Sequence, residues 1–448
     1  MSVCDLSYYD DDFNIGDFEE ELVTAAAAAT AAITFYGIHE ARERRNHRLY
    51  LCRKELCPNP RAGTPWQQLW ASQEDRAFIT TMGFDVATFR LILEGPGGFA
   101  ERWETSSVPR NDVSREANPR PERRSLDGAG ALGIVFHYYA SAMPDISLQQ
   151  IFALTPSVLS PYLEFAEDIL YETLLSMPDA AIMFPDSLDK YHYFSDLITQ
   201  RHPMLEGAFG SIDGLSLVAQ ESDDPEIENA TYNGWKTDHR VNNVFVFSPE
   251  GYIFLATRNS SIHISFSVGV IMSAVINAPG SWHDAHVARP IFQQLRNRAP
   301  DGYFLVADSA FPKGGASIAG KIQAPMKGGD RVPEGPAAQE YTFAYNRQLV
   351  SYRQTAEWGM RMLQGSFGRL RVPLPIRSAH RHTRFLENIG RLANIRARHV
   401  GINQIRTVYL GIWRESEEEH LWTDLSNMVF GDIRKRDRVS RFHLVIAE

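Results

Sequence analysis

From about residue 66 to 204 the apolar positions recur at spacings of three and four, which predicts a mainly helical region. Within it, "DISLQQIFALTPSVLSPYLEFAEDILYETLL" holds two helix starts. Ser147 with Gln150 suits a capping box, and Thr155 before Pro156 suits an N-cap with proline at the first helical position. Two helices joined so closely are a candidate helix-turn-helix, and a plain packing pair fits as well. Pro161 is expected to break or kink the second helix early. After about residue 205 the period shortens to that of strands. "GSIDGLSLVAQ" is followed by "NNVFVFSPEGYIFLAT", where Ser248-Pro249-Glu250-Gly251 supplies hairpin turn chemistry. "SAVINAPGSWHDAHVARPIFQQL" then reads as a strand, a Pro-Gly turn and a helix. "GYFLVADSAFP" reads as a strand of buried type, Tyr303 to Ala307, ending in Asp308. A long helix is expected from about Asn346, with Leu349, Tyr352, Ala356, Met360 and Leu363 as its apolar stripe. Strands interleaved with helices predict an α/β class.

The expected organisation has four parts. Residues 1–65 form a tail, acidic, then Ala-rich, then basic, and partly disordered; 66–204 form the helical region; 205–415 form an α/β domain; 416–448 form a C-terminal extension. "RNDVSREANPRPERRS", Arg110 to Ser125, reads as a polar linker. The basic cluster "ARERRNHRLYLCRK" is either a nuclear-import patch or a polar helix. The apolar run Val23 to Ile38 spans 16 residues, mostly Ala and Thr. It reads as too short and too weakly apolar for a membrane span, and as a solvent-facing or packing helix. Cys4, Cys52 and Cys57 are odd in number and lack zinc-finger or redox spacing, which predicts a reducing compartment.

Charge changes this picture through its placement. The 448-residue chain carries a net charge of −10. Eight acids and no Lys or Arg fall in the first 30 residues, whereas Ala344 to Ile412 holds twelve Arg against Glu357 and Glu387. Guanidinium forks match phosphate oxygens, so the Arg-rich block suits nucleic acid; a solvated helix face is the plainer reading. No Gly-rich phosphate loop of Walker or dinucleotide type appears, which leaves a hydrolase of small phosphorylated substrates unsupported.

Three carboxylates stand out by context: Asp213 within the first strand, Asp308 at the end of a later one, and Glu357 at the edge of the long helix's stripe. Acids in apolar strands are costly without a compensating cation, and converging carboxylates raise one another's pKa. A hard divalent ion, magnesium or manganese, removes that conflict and suits phosphodiester chemistry, with two ions as the expected number. Structural alternatives stand beside each: a turn aspartate for Asp213, a helix cap for Asp308, an ion pair with Arg353 or Arg361 for Glu357.

Four blocks together carry a resemblance. "GSIDG" resembles the first acidic block of the PIF/Harbinger-type DDE transposases, and "LVADSAFP" resembles the second. "YNRQLVSYRQTAEWGMRMLQGSFGRL" resembles the third, and "NAPGSWHDAHV" resembles a block between the first two. The order agrees, over roughly residues 205 to 405. The resemblance implies an RNase H-like catalytic core, a mixed sheet flanked by helices, with metal-dependent DNA nuclease and strand-transfer activity. Asp213, Asp308 and Glu357 match the DDE triad and would hold two magnesium ions. Asp284 matches the intermediate block's aspartate, as a lesser metal ligand or a helix N-cap. Arg347, Arg353, Arg361, Arg369 and Arg371 are the expected phosphate contacts. Such proteins act in the nucleus on DNA, often with a separate Myb-like partner, and homo-oligomers are expected; no membrane partner is. A domesticated, non-catalytic DNA-binding or scaffold protein on the same fold is the alternative. Two departures stand out. Arg258 to Met272 has no counterpart in the family and is either a surface hairpin or translated intron, and Ala393 stands where relatives often show His.

Overall fold

The computed structural model describes residues 15–46, 50–109, 118–249, 270–312, 318, 320–375 and 379–400. Several expectations lie outside them: the acidic residues 1–14, part of the linker, the Ser248–Gly251 turn with the strand after it, residues 258–269, the end of the Arg-rich block, and the C-terminal extension.

Helices fill the first half. They are α1 (Ile15–Asn46), α2 (Pro65–Ser72), α3 (Asp75–Met82), α4 (Val86–Glu94), α5 (Phe99–Thr105), α6 (Gly128–Ala140), α7 (Asp145–Phe152), α8 (Pro156–Ser176) and α9 (Leu188–Thr199). The helix α1 is longer than the apolar run suggested, because it continues into both polar flanks. Its stretch Leu22–Arg44, 23 residues, is long and apolar enough by length and composition to cross a membrane, and none of it is buried. That corrects the expected length and composition, while the expected solvent-facing helix is what the structure shows, its described side chains being almost all exposed.

The candidate helix-turn-helix is α7 and α8. The first starts at Asp145 with Pro144 as N-cap, two residues before the expected Ser147. The second starts as expected, with Thr155 as N-cap and Pro156 at the first position. It also runs straight through Pro161. Pro161 and Ser157, whose carbonyl loses its helical donor, are both exposed, so water satisfies that oxygen. α8 carries Glu164, Glu167, Asp168 and Glu172 and no Lys or Arg, and ten of its residues are buried. Its residues pack; its charge repels phosphate.

The strands follow: β1 (Ala208–Val218), then α10 (Pro225–Thr231), β2 (Tyr232–Asn233), β3 (Asp238–Phe247) and β4 (Ile271–Pro279). After α11 (Asp284–Val287) and α12 (Arg289–Arg298) come β5 (Phe304–Ala307) and β6 (Ile322–Gln323), and last α13 (Pro336–Ser366) and α14 (Ala379–Ile395). β4 opens at Ile271, whose backbone N–H donates to Asn394 Oδ1 at 2.7 Å. The end of the Arg258–Met272 segment is therefore core strand. α13 starts ten residues before Asn346, with Pro336 in its first turn.

One mixed sheet results. β3 pairs antiparallel with β1, β2 and β4, while β5 lies parallel to β1 and β6 parallel to β5. The alternation of a strand assigns its faces. Val244 and Val246 pack with Phe209, Ile212, Met272 and Leu305 against Tyr191 and Phe194 of α9 and Ile291 and Leu295 of α12. Phe245 and Phe247 pack with Leu215 and Leu217 against Ala356, Met360 and Leu363 of α13. That second core runs on without a break into α6, α8 and α14. Gly359 lets α13 approach closely, since a Cβ there would lie 2.7 Å from the Phe247 ring. Helical region and sheet thus share one hydrophobic core.

Candidate functional site

Asp213 follows the alternation of Leu215 and Leu217, so its carboxylate faces α13. The parallel pairing of Ile212 with Ala307 brings Asp213 and Asp308 to adjacent positions on neighbouring strands. Val306, two residues before Asp308, packs with Leu349 and Tyr352 of α13, which puts Asp308 on the same face. Each aspartate accepts from the next backbone N–H: Asp213 Oδ1 from Gly214 at 2.8 Å, Asp308 Oδ1 from Ser309 at 2.6 Å. The Thr355 hydroxyl donates to Ser211 Oγ at 3.0 Å and sets α13 against β1, two residues before Glu357.

Glu357 reaches this pair through a cation. Arg353 Nη2 stands 2.5 Å from Glu357 Oε1, and its Nη1 stands 3.2 Å from Asp308 Oδ1. Sequence spacing left Arg353 and Arg361 equivalent as partners of Glu357; Asp308 selects Arg353. Asp284 comes from the other face. It is the first residue of α11, with His283 as N-cap. Gly214 has no side chain there, and the Asp284 carboxylate fills the gap: a Cβ on Gly214 would lie 2.5 Å from Asp284 Oδ2. The glycine of "GSIDG" is required by that close approach.

Burial pushes Asp213 up to about 6, with Asp308 and Asp284 adding to the shift and Arg353 opposing it. Asp284 is raised too, by burial first and by Asp308, against the attraction of Lys236. Lys236 is lowered, by desolvation first and then by Arg240. The sequence pattern did not single out Lys236; its signal was a basic residue in the tight turn of "YNGWKTDHR". Among the described residues no group of three His, Cys, Asp or Glu stands ready to hold a metal ion. The donor chemistry nonetheless fits a hard cation. Asp213, Asp284 and Asp308 offer carboxylate oxygens, and Asp213 and Asp284 are both raised, by burial first and then by the charge of Asp308. Glu357 joins them only by leaving Arg353.

The other arginines separate. Arg347 and Arg361 are exposed on α13. Arg371 is exposed and donates through Nε to Gln364 O at 2.9 Å. Arg369 stacks 4.1 Å over the Tyr138 ring and donates to Met143 O at 3.3 Å, so it is tied to the helical region.

A family model of the DDE superfamily endonucleases matches residues 259–394. That stretch contains Asp284, Asp308, Arg353 and Glu357; Asp213 lies before it. The match supports a transposase-like nuclease domain. No curated protein and no solved structure matches the chain.

Proposed function

We propose that this chain is a metal-dependent DNA endonuclease of the PIF/Harbinger transposase type, acting in the nucleus through an RNase H-like core with which the helical region shares its hydrophobic packing. The single observation that carries the reading is the adjacency of Asp213 and Asp308 on neighbouring parallel strands, facing the helix that bears Glu357. Asp213, Asp308 and Glu357 would hold Mg²⁺ or Mn²⁺, with Asp284 behind Gly214 adding negative field. Divalent ions, when bound, activate the attacking water and neutralise charge on the phosphodiester. The protein's own residues position the substrate: exposed Arg347, Arg361 and Arg371 contact phosphates, and Arg353, paired here with Glu357 and Asp308, would be a further phosphate donor were those carboxylates to hold a metal. Binding then weakens steeply as salt rises. A Myb-like partner and self-association belong to this reading as expectations.

The test is nicking of supercoiled plasmid by purified protein with Mg²⁺ or Mn²⁺, beside Asp213→Asn and Glu357→Gln. Loss in both variants, with folding intact, supports the site; nicking by either at the parent rate refutes it. A second reading, a non-catalytic DNA-binding scaffold on the same fold, is favoured by Arg353, which already neutralises Asp308 and Glu357. Magnesium separates the two. A catalytic pocket gains thermal stability from the ion, and a scaffold gains none.

A further inference from the structure

The turn between β2 and β3 presents an indole to solvent, next to Lys236 and on the hairpin that Asn233 ties to the Gly280 loop. Trp235 is 93 % exposed. The turn that carries it is held firmly. Asn233 Oδ1 accepts from the backbone N–H of Trp235 at 3.1 Å and of Lys236 at 3.0 Å. Asn233 Nδ2 donates to Gly280 O at 2.7 Å, in the loop that leads to Asp284. Asn242 Nδ2 holds the same loop, donating to Trp282 O at 2.7 Å. Thr237 closes the turn at φ 52°, in the left-handed region that β-branched residues seldom adopt. Trp235 therefore projects from a fixed support.

Its neighbours define what it suits. Lys236, the next residue, is drawn to Asp284. Trp282, 44 % exposed, packs on His286 with ring centroids 4.3 Å apart, directly before Asp284. An exposed aromatic face flanked by a cation, on a turn tied to the loop that leads to Asp284, matches a nucleotide whose base has left the duplex stack.

We propose that Trp235 is a stacking platform for an unpaired base of the DNA substrate, and that Lys236 holds the adjoining phosphate. The proposal rests on the nuclease reading of the acidic site and adds to it a residue that selects locally opened DNA. It concerns binding, so it is tested with metal withheld.

The experiment measures binding of a labelled oligonucleotide to the full chain in EDTA, by fluorescence anisotropy, as single strand and as fully paired duplex. Trp235→Ala should weaken single-strand binding about tenfold and leave duplex binding unchanged, with Trp235→Phe restoring affinity. The salt slope should stay the same for Trp235→Ala and fall by about one for Lys236→Ala. Trp235→Ala that binds single strand as tightly as the parent overturns the proposal, as does equal loss on both DNA forms. Plasmid nicking by the parent alongside either result leaves the nuclease reading standing. A parent protein that binds neither form in EDTA also overturns the proposal, and the nuclease reading is then decided by plasmid nicking alone.

Discussion

Glu167 offers a quantitative test of how the helical region is joined to the core. Its carboxyl is 3 % exposed and faces Arg381 of α14, with Nε 3.3 Å from Oε2. Asn388 of α14 donates to the Tyr139 hydroxyl and to the Glu167 carbonyl, so α6, α8 and α14 meet at this point. Burial outweighs the attraction of Arg381 and the hydrogen bond from Tyr139, and pushes Glu167 from 4.5 up to about 7. The folded protein then binds this proton more tightly than the unfolded chain. The stability it contributes is complete below 4.5 and is lost as the pH rises through about 7. The displacement corresponds to about 3 kcal/mol across that window. Glu167→Gln keeps the shape and removes the titration. Urea unfolding of both proteins, in steps across the window, supplies the difference. The variant should gain on the parent by about 3 kcal/mol from the acid to the alkaline end. Asp213, raised in the same direction, and His137, held down at about 4 by burial, titrate in both proteins and cancel in the difference. Parallel stability curves would refute the claim that desolvation governs this carboxyl.

Three further outcomes are expected. Gly214→Ala drives a methyl into the Asp284 carboxylate; it should fold, losing about 1–3 kcal/mol by overpacking, and lose metal-dependent nicking, and parental nicking would show that Asp284 need not sit where it does. Asp213→Asn should unfold at higher urea than the parent above about pH 6, by about 1–2 kcal/mol after allowance for partial exposure, because the folded-state pKa is raised and ionisation there destabilises the fold; a variant weaker than the parent at alkaline pH contradicts this. Gly359→Ala should cost about 1–3 kcal/mol by thrusting a methyl at the Phe247 ring, measured by thermal unfolding, and an unchanged midpoint would mean that α13 can shift outward freely.

What the chain disclosed locally, it disclosed well. The strand at Asp213, the strand before Asp308 and the α13 stripe are written in short-range alternation and periodicity, and Leu349, Tyr352, Ala356, Met360 and Leu363 are all buried. Thr155-Pro156 marks the start of α8 because a cap and a first-turn proline act within one turn. The early start of α13 carried the same signal at Pro336, behind Gly335, and its weakly apolar first turns hid it. Pro161 misled because α8 is held by ten buried residues, whose packing outweighs the one backbone hydrogen bond the proline removes at its exposed position. The choice of Arg353 over Arg361 was beyond reach. It depends on Asp308, which approaches only through the parallel pairing of β1 with β5. The Gly214–Asp284 contact is likewise a product of tertiary packing, and so is the support that Gly280 lends to the Trp235 turn.

These particulars share one electrostatic cause. Four carboxylates are drawn from β1, α11, the end of β5 and α13 toward one part of the sheet, and the folded chain offsets their repulsion. It does so in three ways. Arg353 divides itself between Asp308 and Glu357, the charge of Lys236 favours an ionised Asp284, and Asp213 takes up a proton more readily than an ordinary aspartate. Each device is reversible, and each releases a group with further use: a guanidinium and an ammonium suited to phosphate, and a carboxylate suited to a hard cation. A site built purely for stability would replace such acids with apolar residues of similar volume. Retaining them with detachable counter-charges makes sense where a cation and a polyanion are to bind together, which is the condition that phosphodiester chemistry imposes.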